Sequence, residues 1–200
     1  GGSGEAFIFA LDKTKNVWNQ TAVAHMHSNY GSGFGSSTTI AKNWAAVGYA
    51  YFEKSRTYGV LVIPRNVSTD TWNVSAAIIL RPESNPDSID TSFGQVINLS
   101  DDFLLVSGGI WSPVNRVYVF KRNSDTNTWG DVPEMLPCPT PGDTYKFGLS
   151  SAITDKYAIV TKACSTREEG SECNFFDYAL NSDGQTWGSP TMYSFYNDVP

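Results

Sequence analysis

Residues 93–129 read FGQVINLSDDFLLVSGGIWSPVNRVYVFKRNSDTNTW, and this stretch decides the fold. The first predicted strand is Phe93 to Leu99, and a polar turn at 100–102 leads into a second predicted strand, the apolar run Phe103–Ser107. After a loop that contains Gly, Pro and Asn, the apolar run 117–120 is followed by a second polar turn and a Trp. Apolar runs of strand length, separated by turn residues, predict four antiparallel strands in this stretch.

The same pattern recurs along the chain, because Phe-Gly also stands at positions 34–35 and 147–148. A Trp follows each Phe-Gly, and with Trp18 the series runs at spacings of 54, 57 and 58 residues. Two markers that keep one period indicate an internal repeat. The third strand of each copy is a continuous apolar run, as expected for a strand that is covered on both faces. Antiparallel units of about 40 to 60 residues that cover one another are the blades of a β-propeller.

We therefore predict an all-β fold, a partial β-propeller of about three and a half four-stranded antiparallel blades. Residues 6–9 align with residues 117–120, so the sequence opens at the third strand of a blade. Seven blades at this period would need roughly 400 residues, and the chain supplies about half of such a ring. A β-sandwich with an accidental period is the alternative. The predicted blade boundaries are 1–33 (the second half of a blade), 34–92, 93–146 and 147–200.

The order of Phe-Gly, a strand, an Asp-containing turn, a second strand, Val-Tyr-Val-Phe-Lys-Arg and a later Trp resembles the FG-GAP repeat. That repeat builds the seven-bladed propeller of integrin α chains and of many secreted or surface proteins. The resemblance covers nearly the whole chain and is most specific over residues 93–129. The Gly-Ala-Pro element of the family is missing after the second strands, and the loops lack the Asp-rich calcium pattern. We therefore expect no calcium site, and no other metal or cofactor.

The resemblance implies a secreted or cell-surface glycoprotein module without catalytic activity. It would act in adhesion, or as a structural subunit of an extracellular assembly or filament, and its partners would be other proteins or copies of itself. Two alternatives are the propeller portion of a secreted hydrolase and a carbohydrate-binding lectin. For a lectin, Trp111 is the best candidate for a ligand contact, because it lies in a loop outside the repeat series and aromatic rings stack on sugars.

Charge and motifs argue against several other functions. The net charge of −6 disfavours nucleic acid, which needs clustered cations. No stretch approaches the roughly 20 apolar residues of a membrane helix, and a Gly-x-Ser-x-Gly nucleophile motif is absent. His25 and His27 are the only histidines. With no Cys, Asp or Glu close in sequence, we interpret them as exposed polar residues and not as metal ligands.

Four Asn-x-Ser/Thr sequons differ in their position within the repeat. Asn19 and Asn73 each follow a repeat Trp, and Asn66 lies in the turn before the same strand. This outermost strand faces solvent, so we predict N-linked glycans on all three residues. Asn98 falls on the innermost strand, where a sugar would crowd the channel, and we predict that it is unmodified.

The three cysteines predict one disulfide. Cys164 and Cys173 flank a short polar turn, and a local cross-strand bond between them would imply an oxidising compartment. Two free thiols are the alternative. Cys138 stands alone in the sequence, and no partner is predicted for it.

Overall fold

A computed structural model describes residues 4–27, 33–49, 58–82, 93–107, 116–139, 147–162 and 172–196. Over these ranges the chain is all-β, as predicted, and contains strands and one short 3-10 helix but no α-helix. No helix in the described ranges is long and apolar enough to cross a membrane.

The strands form four antiparallel groups in chain order, which we call sheets 1 to 4. Sheet 1 joins two short ladders, β1 with β4 and β2 with β3: β1 Glu5–Ile8, β2 Leu11–Asp12, β3 Val17–Trp18, β4 Ala24–His27. Sheet 2 contains β5 Phe34–Ile40, β6 Trp44–Tyr49, β7 Gly59–Asn66, β8 Thr71–Trp72 and β9 Ile78–Leu80, with the 3-10 helix Val74–Ala76 before β9. Sheet 3 contains β10 Val96–Leu99, β11 Phe103–Ser107, β12 Val117–Asn123, β13 Thr128–Trp129 and β14 Glu134–Leu136. Sheet 4 contains β15 Phe147–Ile153, β16 Tyr157–Lys162, β17 Glu172–Ala179 and β18 Thr191–Tyr196.

Sheets 2 and 3 follow one plan. The first strand pairs with the second, the second with the third, and the third with an outer strand that is split into two segments. In sheet 2 these segments are β8 and β9, and in sheet 3 they are β13 and β14. Sheet 1 has the same arrangement at its outer edge, since β1 and β2 pair with β4 and β3.

The middle sheets are covered on both faces, which explains their continuous apolar strands. On β11, Leu104 and Val106 pack towards sheet 2. Phe103 and Leu105 alternate with them and pack towards sheet 4. Because successive side chains of a strand point to opposite faces, a strand between two sheets buries its side chains on both faces. All five residues of β11 are buried.

The repeat Trp residues link one sheet to the sheet before it. Trp129 of sheet 3 packs edge-on against Trp44 of sheet 2, with ring centroids 5.5 Å apart. Trp187, next to sheet 4, makes the same kind of contact with Phe103 of sheet 3 at 5.3 Å. Edge-to-face pairs at this distance are favourable beyond their buried area. The regular spacing of the Trp residues therefore reflects one repeated contact between neighbouring sheets.

The glycine of the Phe-Gly motif allows each first strand to start close to the preceding sheet. Gly94 has φ 92°, a conformation that L side chains rarely adopt. A Cβ atom at this position would lie only 2.8 Å from the carbonyl oxygen of Gly59 in sheet 2. Since the chain bends here, the regular pairing of β10 begins at Val96 and not, as the sequence predicted, at Phe93. Phe93 itself is fully buried.

A second repeated element is the turn between the third and the outer strand. Asp12, Asn66 and Asn123 each stand six residues before a repeat Trp, and the side-chain oxygen of each accepts backbone N–H bonds from the residues two and three further on. Two residues before the Trp the backbone is left-handed, with φ between 53° and 55°, at Asn16, Asp70 and Asn127. Asn and Asp adopt this conformation more readily than other L residues.

Candidate interaction surfaces

The outer face of sheet 1, which points away from sheet 2, is rich in exposed aromatic residues. Phe7 and Phe9 are about half exposed, and Trp18 is 67% exposed. Ala6 and Ile8 alternate with the two Phe residues and are buried against sheet 2. At the equivalent positions of sheet 3 the side chains are buried, because sheet 2 covers them: Tyr118, Phe120 and Trp129.

The outer face of sheet 4, which points away from sheet 3, also exposes aromatic and aliphatic side chains. Tyr157 begins β16 as Trp44 begins β6, yet it is 53% exposed. Ile159, two residues later, is also exposed. On the same face the rings of Phe175 and Tyr193 stack with their centroids 4.6 Å apart. Exposed apolar residues that are contiguous on one face mark an interaction site.

The two histidines lie on the exposed face of β4, as expected for exposed polar residues. The His25 ring stacks on Phe7, with centroids 4.5 Å apart and an interplanar angle of 6°. Its Nε2 lies 3.7 Å from Oε2 of Glu5. The sequence did not predict this contact, because Glu5 is far from His25 along the chain. In the described ranges no group of three or more His, Cys, Asp or Glu side chains is placed to hold a metal ion.

A cleft of about 540 Å³ lies between sheets 1 and 2. One wall is formed by residues 6–9, from β1 and the residue after it. The other wall is formed by β5 and β6, and the rim includes Trp18 and the sequon residue Asn19. No pattern in the sequence identified this cleft, because it arises where two sheets meet.

The three sequons predicted to carry glycans are exposed at their Asn residues. Asn19 directly follows β3, and Asn73 directly follows β8. At Asn66 and Asn73 the side-chain oxygen accepts the hydroxyl of the sequon serine, at 2.7 Å from Ser68 and 2.8 Å from Ser75. Both contacts use Oδ1 of the asparagine, whereas a glycan would be attached to its Nδ2.

Asn98 is different, because it is half-buried on β10 between sheets 3 and 4. Its Nδ2 donates a hydrogen bond of 2.8 Å to the hydroxyl of Ser151 on β15. A sugar on this nitrogen would occupy the space between the first strands of the two sheets. That Asn98 is unmodified stays a prediction.

Two predicted sites fall outside the described residues. Trp111, the candidate ligand contact, lies in the range 108–115, and Cys164 lies in 163–171, so the disulfide with Cys173 stays a prediction.

Cys138 is half-buried against the core between sheets 3 and 4. Nearby, the Tyr178 hydroxyl donates to the carbonyl oxygen of Pro137 at 2.7 Å. Burial raises the pKa of Tyr178, and Cys138 adds to this effect.

The turn carboxylates are shaped by local hydrogen bonds. The hydroxyl of Thr14 lowers the pKa of Asp12, and the backbone N–H groups of Lys15 and Thr14 act in the same direction. At Asp183 the N–H groups of Gln185 and Thr186 lower the pKa. Hydrogen bonds to the charged form of a carboxyl favour that form. These aspartates therefore stabilise turns.

One contact between sheets was missed by the sequence interpretation. Asp101 was expected only to form a turn, but its carboxylate accepts the backbone N–H of Asn43 at 3.0 Å and the Asn43 side-chain amide at 3.2 Å. The repeat phase could have identified this pair, because both residues lie in the turn between the first and second strands of their sheets. Asp102 pairs with Arg122 in the same turn region.

No model of a known protein family matches this chain, and no curated protein matches it.

Proposed function

We propose that this chain is a non-catalytic interaction module, part of a β-propeller of the FG-GAP type, and that it acts as a structural subunit of an extracellular assembly. The propeller is supported by antiparallel sheets that cover one another face to face. The first strands β5, β10 and β15 lie against one another in series, as expected for sheets arranged around an axis.

One observation carries the assembly role. Sheets 2 and 3 bury aromatic side chains against each other, and the side chains at the equivalent positions on the outer faces of sheets 1 and 4 are exposed. Sheet 1 presents Trp18 as sheet 3 presents Trp129, and sheet 4 presents Tyr157 as sheet 2 presents Trp44. A second copy that placed its sheet 1 on sheet 4 would repeat the aromatic contact made inside the molecule. The two faces differ, so the contact is head-to-tail and produces either a closed ring or an open filament.

Sedimentation velocity across a wide concentration range tests this proposal. We expect the wild-type chain to associate, and the variants Trp18→Arg and Tyr157→Arg to remain monomeric, because each buries a cation in the contact. Val132→Arg, which changes an exposed residue in the turn between β13 and β14, is the matched control. A monodisperse wild-type monomer at every concentration would overturn the assembly role.

Mixing the two variants makes the test sharper. A head-to-tail contact needs one intact face from each copy, and each variant retains the face that the other has lost. An equimolar mixture should therefore form a dimer and nothing larger. Self-association of either variant alone, or no association in the mixture, would contradict this geometry.

The extracellular location is supported by the exposure of Asn19, Asn66 and Asn73. Secretion from eukaryotic cells, followed by intact-mass measurement before and after enzymatic removal of N-glycans, provides the test. We expect three glycans, and one fewer for each Asn→Gln variant at these positions. A glycan at Asn98, or none at the other three, would contradict the proposal.

A further inference from the structure

The outer face of sheet 4 carries a carboxylate, Asp177, among aromatic and aliphatic side chains. Phe176 and Tyr178 are fully buried against sheet 3. Because side chains alternate along a strand, Asp177 lies on the opposite, outer face of β17. Its neighbours across the sheet are Ile159 on β16 and Thr191 on β18. Within the described ranges no ion pair involves Asp177.

The position of Asp177 is occupied by a buried valine in each of the two middle sheets. Asp177 pairs with the third residue of β16, as Val62 pairs with the third residue of β6 and Val119 with the third residue of β11. Val62 is 0% and Val119 is 3% exposed. A sheet that covered sheet 4 in the same way would take the Asp177 carboxylate out of water. An unpaired buried charge is costly, so such a partner must bring a cation to this position.

The outer face of sheet 1 carries an imidazole beside Phe7. In sheet 3 the equivalent of Phe7 is Tyr118, which packs in one cluster with Val62 of sheet 2. A head-to-tail contact with this geometry therefore places Phe7 of one copy over Asp177 of the next. The ring of His25 is stacked on Phe7, with the centroids 4.5 Å apart, so it enters the same contact.

The charges on the two faces balance only when the histidines are protonated. Nε2 of His25 lies 3.7 Å from Oε2 of Glu5, and the ring of His27 is centred 6.0 Å from that of His25. With both imidazoles protonated, two cations meet the carboxylates of Glu5 and Asp177. With both imidazoles neutral, the two carboxylates share the contact without a cation, which is unfavourable.

We propose that the two outer faces recognise each other through an ion pair between Asp177 of one copy and His25 of the next, which makes head-to-tail association stronger at mildly acidic pH. This inference rests on the assembly role proposed above. Histidine side chains change their charge between about pH 5 and pH 8, so protons are taken up on association in this range. The adjacent strands β16 and β18 add only the phenols of Tyr157 and Tyr193 beside Asp177, and these stay uncharged in the same range.

Sedimentation velocity at about pH 5.5 and about pH 8, at one ionic strength, tests the ion pair. We expect the dissociation constant of the wild type to be at least about tenfold lower at the acidic pH. Asp177→Asn should lose most of this pH dependence, because it removes the charge that needs a cation. Asp155→Asn, which changes an exposed carboxylate in the turn before β16, is the matched control and should behave as the wild type does. Association that is independent of pH in the wild type, or an unchanged pH dependence in Asp177→Asn, overturns the proposal.

A double-mutant cycle tests whether the two side chains meet. His25→Gln cannot gain a proton, so it should associate weakly at both pH values. The effects of His25→Gln and Asp177→Asn on the dissociation constant should be strongly non-additive at about pH 5.5 and nearly additive at about pH 8. Additive effects at the acidic pH would mean that the two side chains do not meet, and would overturn the proposal.

The assembly role and the ion pair fail in different ways. If the wild type and Asp177→Asn are both monomeric at both pH values, the assembly role is wrong and the ion pair with it. If the wild type associates equally at both pH values, only the ion pair is wrong and the assembly role stands.

Discussion

Sheet 3 and sheet 1 carry similar side chains at equivalent positions, but only sheet 3 is covered on both faces. Phe120 of sheet 3 is fully buried, while Phe9, its equivalent in sheet 1, is 47% exposed. The difference arises from the neighbours of each sheet and not from residue type. An aromatic residue in this repeat therefore marks the position of a contact, whether or not the described residues complete that contact.

Truncation of the two equivalent phenylalanines should give the largest difference in stability between sheets 1 and 3. Phe120→Ala should lower the free energy of unfolding by about 3 to 5 kcal/mol, because it leaves a cavity between two sheets. Phe9→Ala should cost about 1 kcal/mol, since roughly half of the ring is already in contact with water. Parallel denaturant titrations measure both values. Equal losses would mean that sheet 1 is covered in solution.

The Phe-Gly glycine tests how closely one sheet approaches the next. Gly94→Ala should cost about 2 kcal/mol or more, because it combines a left-handed φ with a Cβ atom too close to the Gly59 carbonyl. Gly184→Ala has the positive φ but no atom within 4 Å, so it should cost less. Gly130→Ala meets only an ordinary contact and serves as the control. Thermal unfolding of the three variants should give this order, and a neutral Gly94→Ala would contradict the close approach.

The two faces of sheet 4 can be compared through two tyrosines. Tyr178→Phe removes the donor to the Pro137 carbonyl and should cost about 1 kcal/mol. Tyr157→Phe should have almost no effect on stability, because this side chain is exposed on the outer face. Denaturant titration of both variants provides the measurement. A larger loss for Tyr157→Phe would place its hydroxyl in a contact.

The smallest expected effect is on the pKa values of two turn aspartates, Asp12 in sheet 1 and Asp183 next to sheet 4. Because hydrogen bonds lower the folded-state pKa of Asp12 below its ordinary value of 3.8, the stability they add is present above that pH. This stability is lost as the pH falls through the lowered pKa. Thr14→Val should raise the pKa of Asp12, and Thr186→Val should do the same at Asp183. An NMR titration of the carboxyl carbons measures both shifts, and no change in either variant would contradict the hydrogen-bond origin.

The sequence predicted most of the strands, because their apolar runs are local. It placed Phe103–Ser107 at the observed bounds, and the continuous apolar runs in the third strands indicated sheets covered on both faces. It missed the partnership of Trp44 with Trp129, because Trp44 lies outside the Trp period, and a contact between sheets depends on the register of two distant segments.

The candidate surfaces were predicted only in part. The exposure of Asn19, Asn66 and Asn73 followed from their phase in the repeat. The cleft and the exposure of Ile40 could not be predicted, because they depend on which strands stand beside the residue and not on the residue itself. The proximity of Glu5 to His25 was likewise hidden, since strand pairing brings together residues that are far apart in the sequence.

The hydrogen bond from Asn98 to Ser151 has a consequence for biosynthesis. In a cell that glycosylates nascent chains, Asn98-Leu99-Ser100 can be modified only before β10 and β15 come together. An oligosaccharide attached at that stage would keep the two strands apart. The fraction of chains that carry a glycan at Asn98 would therefore report how quickly this part of the chain folds.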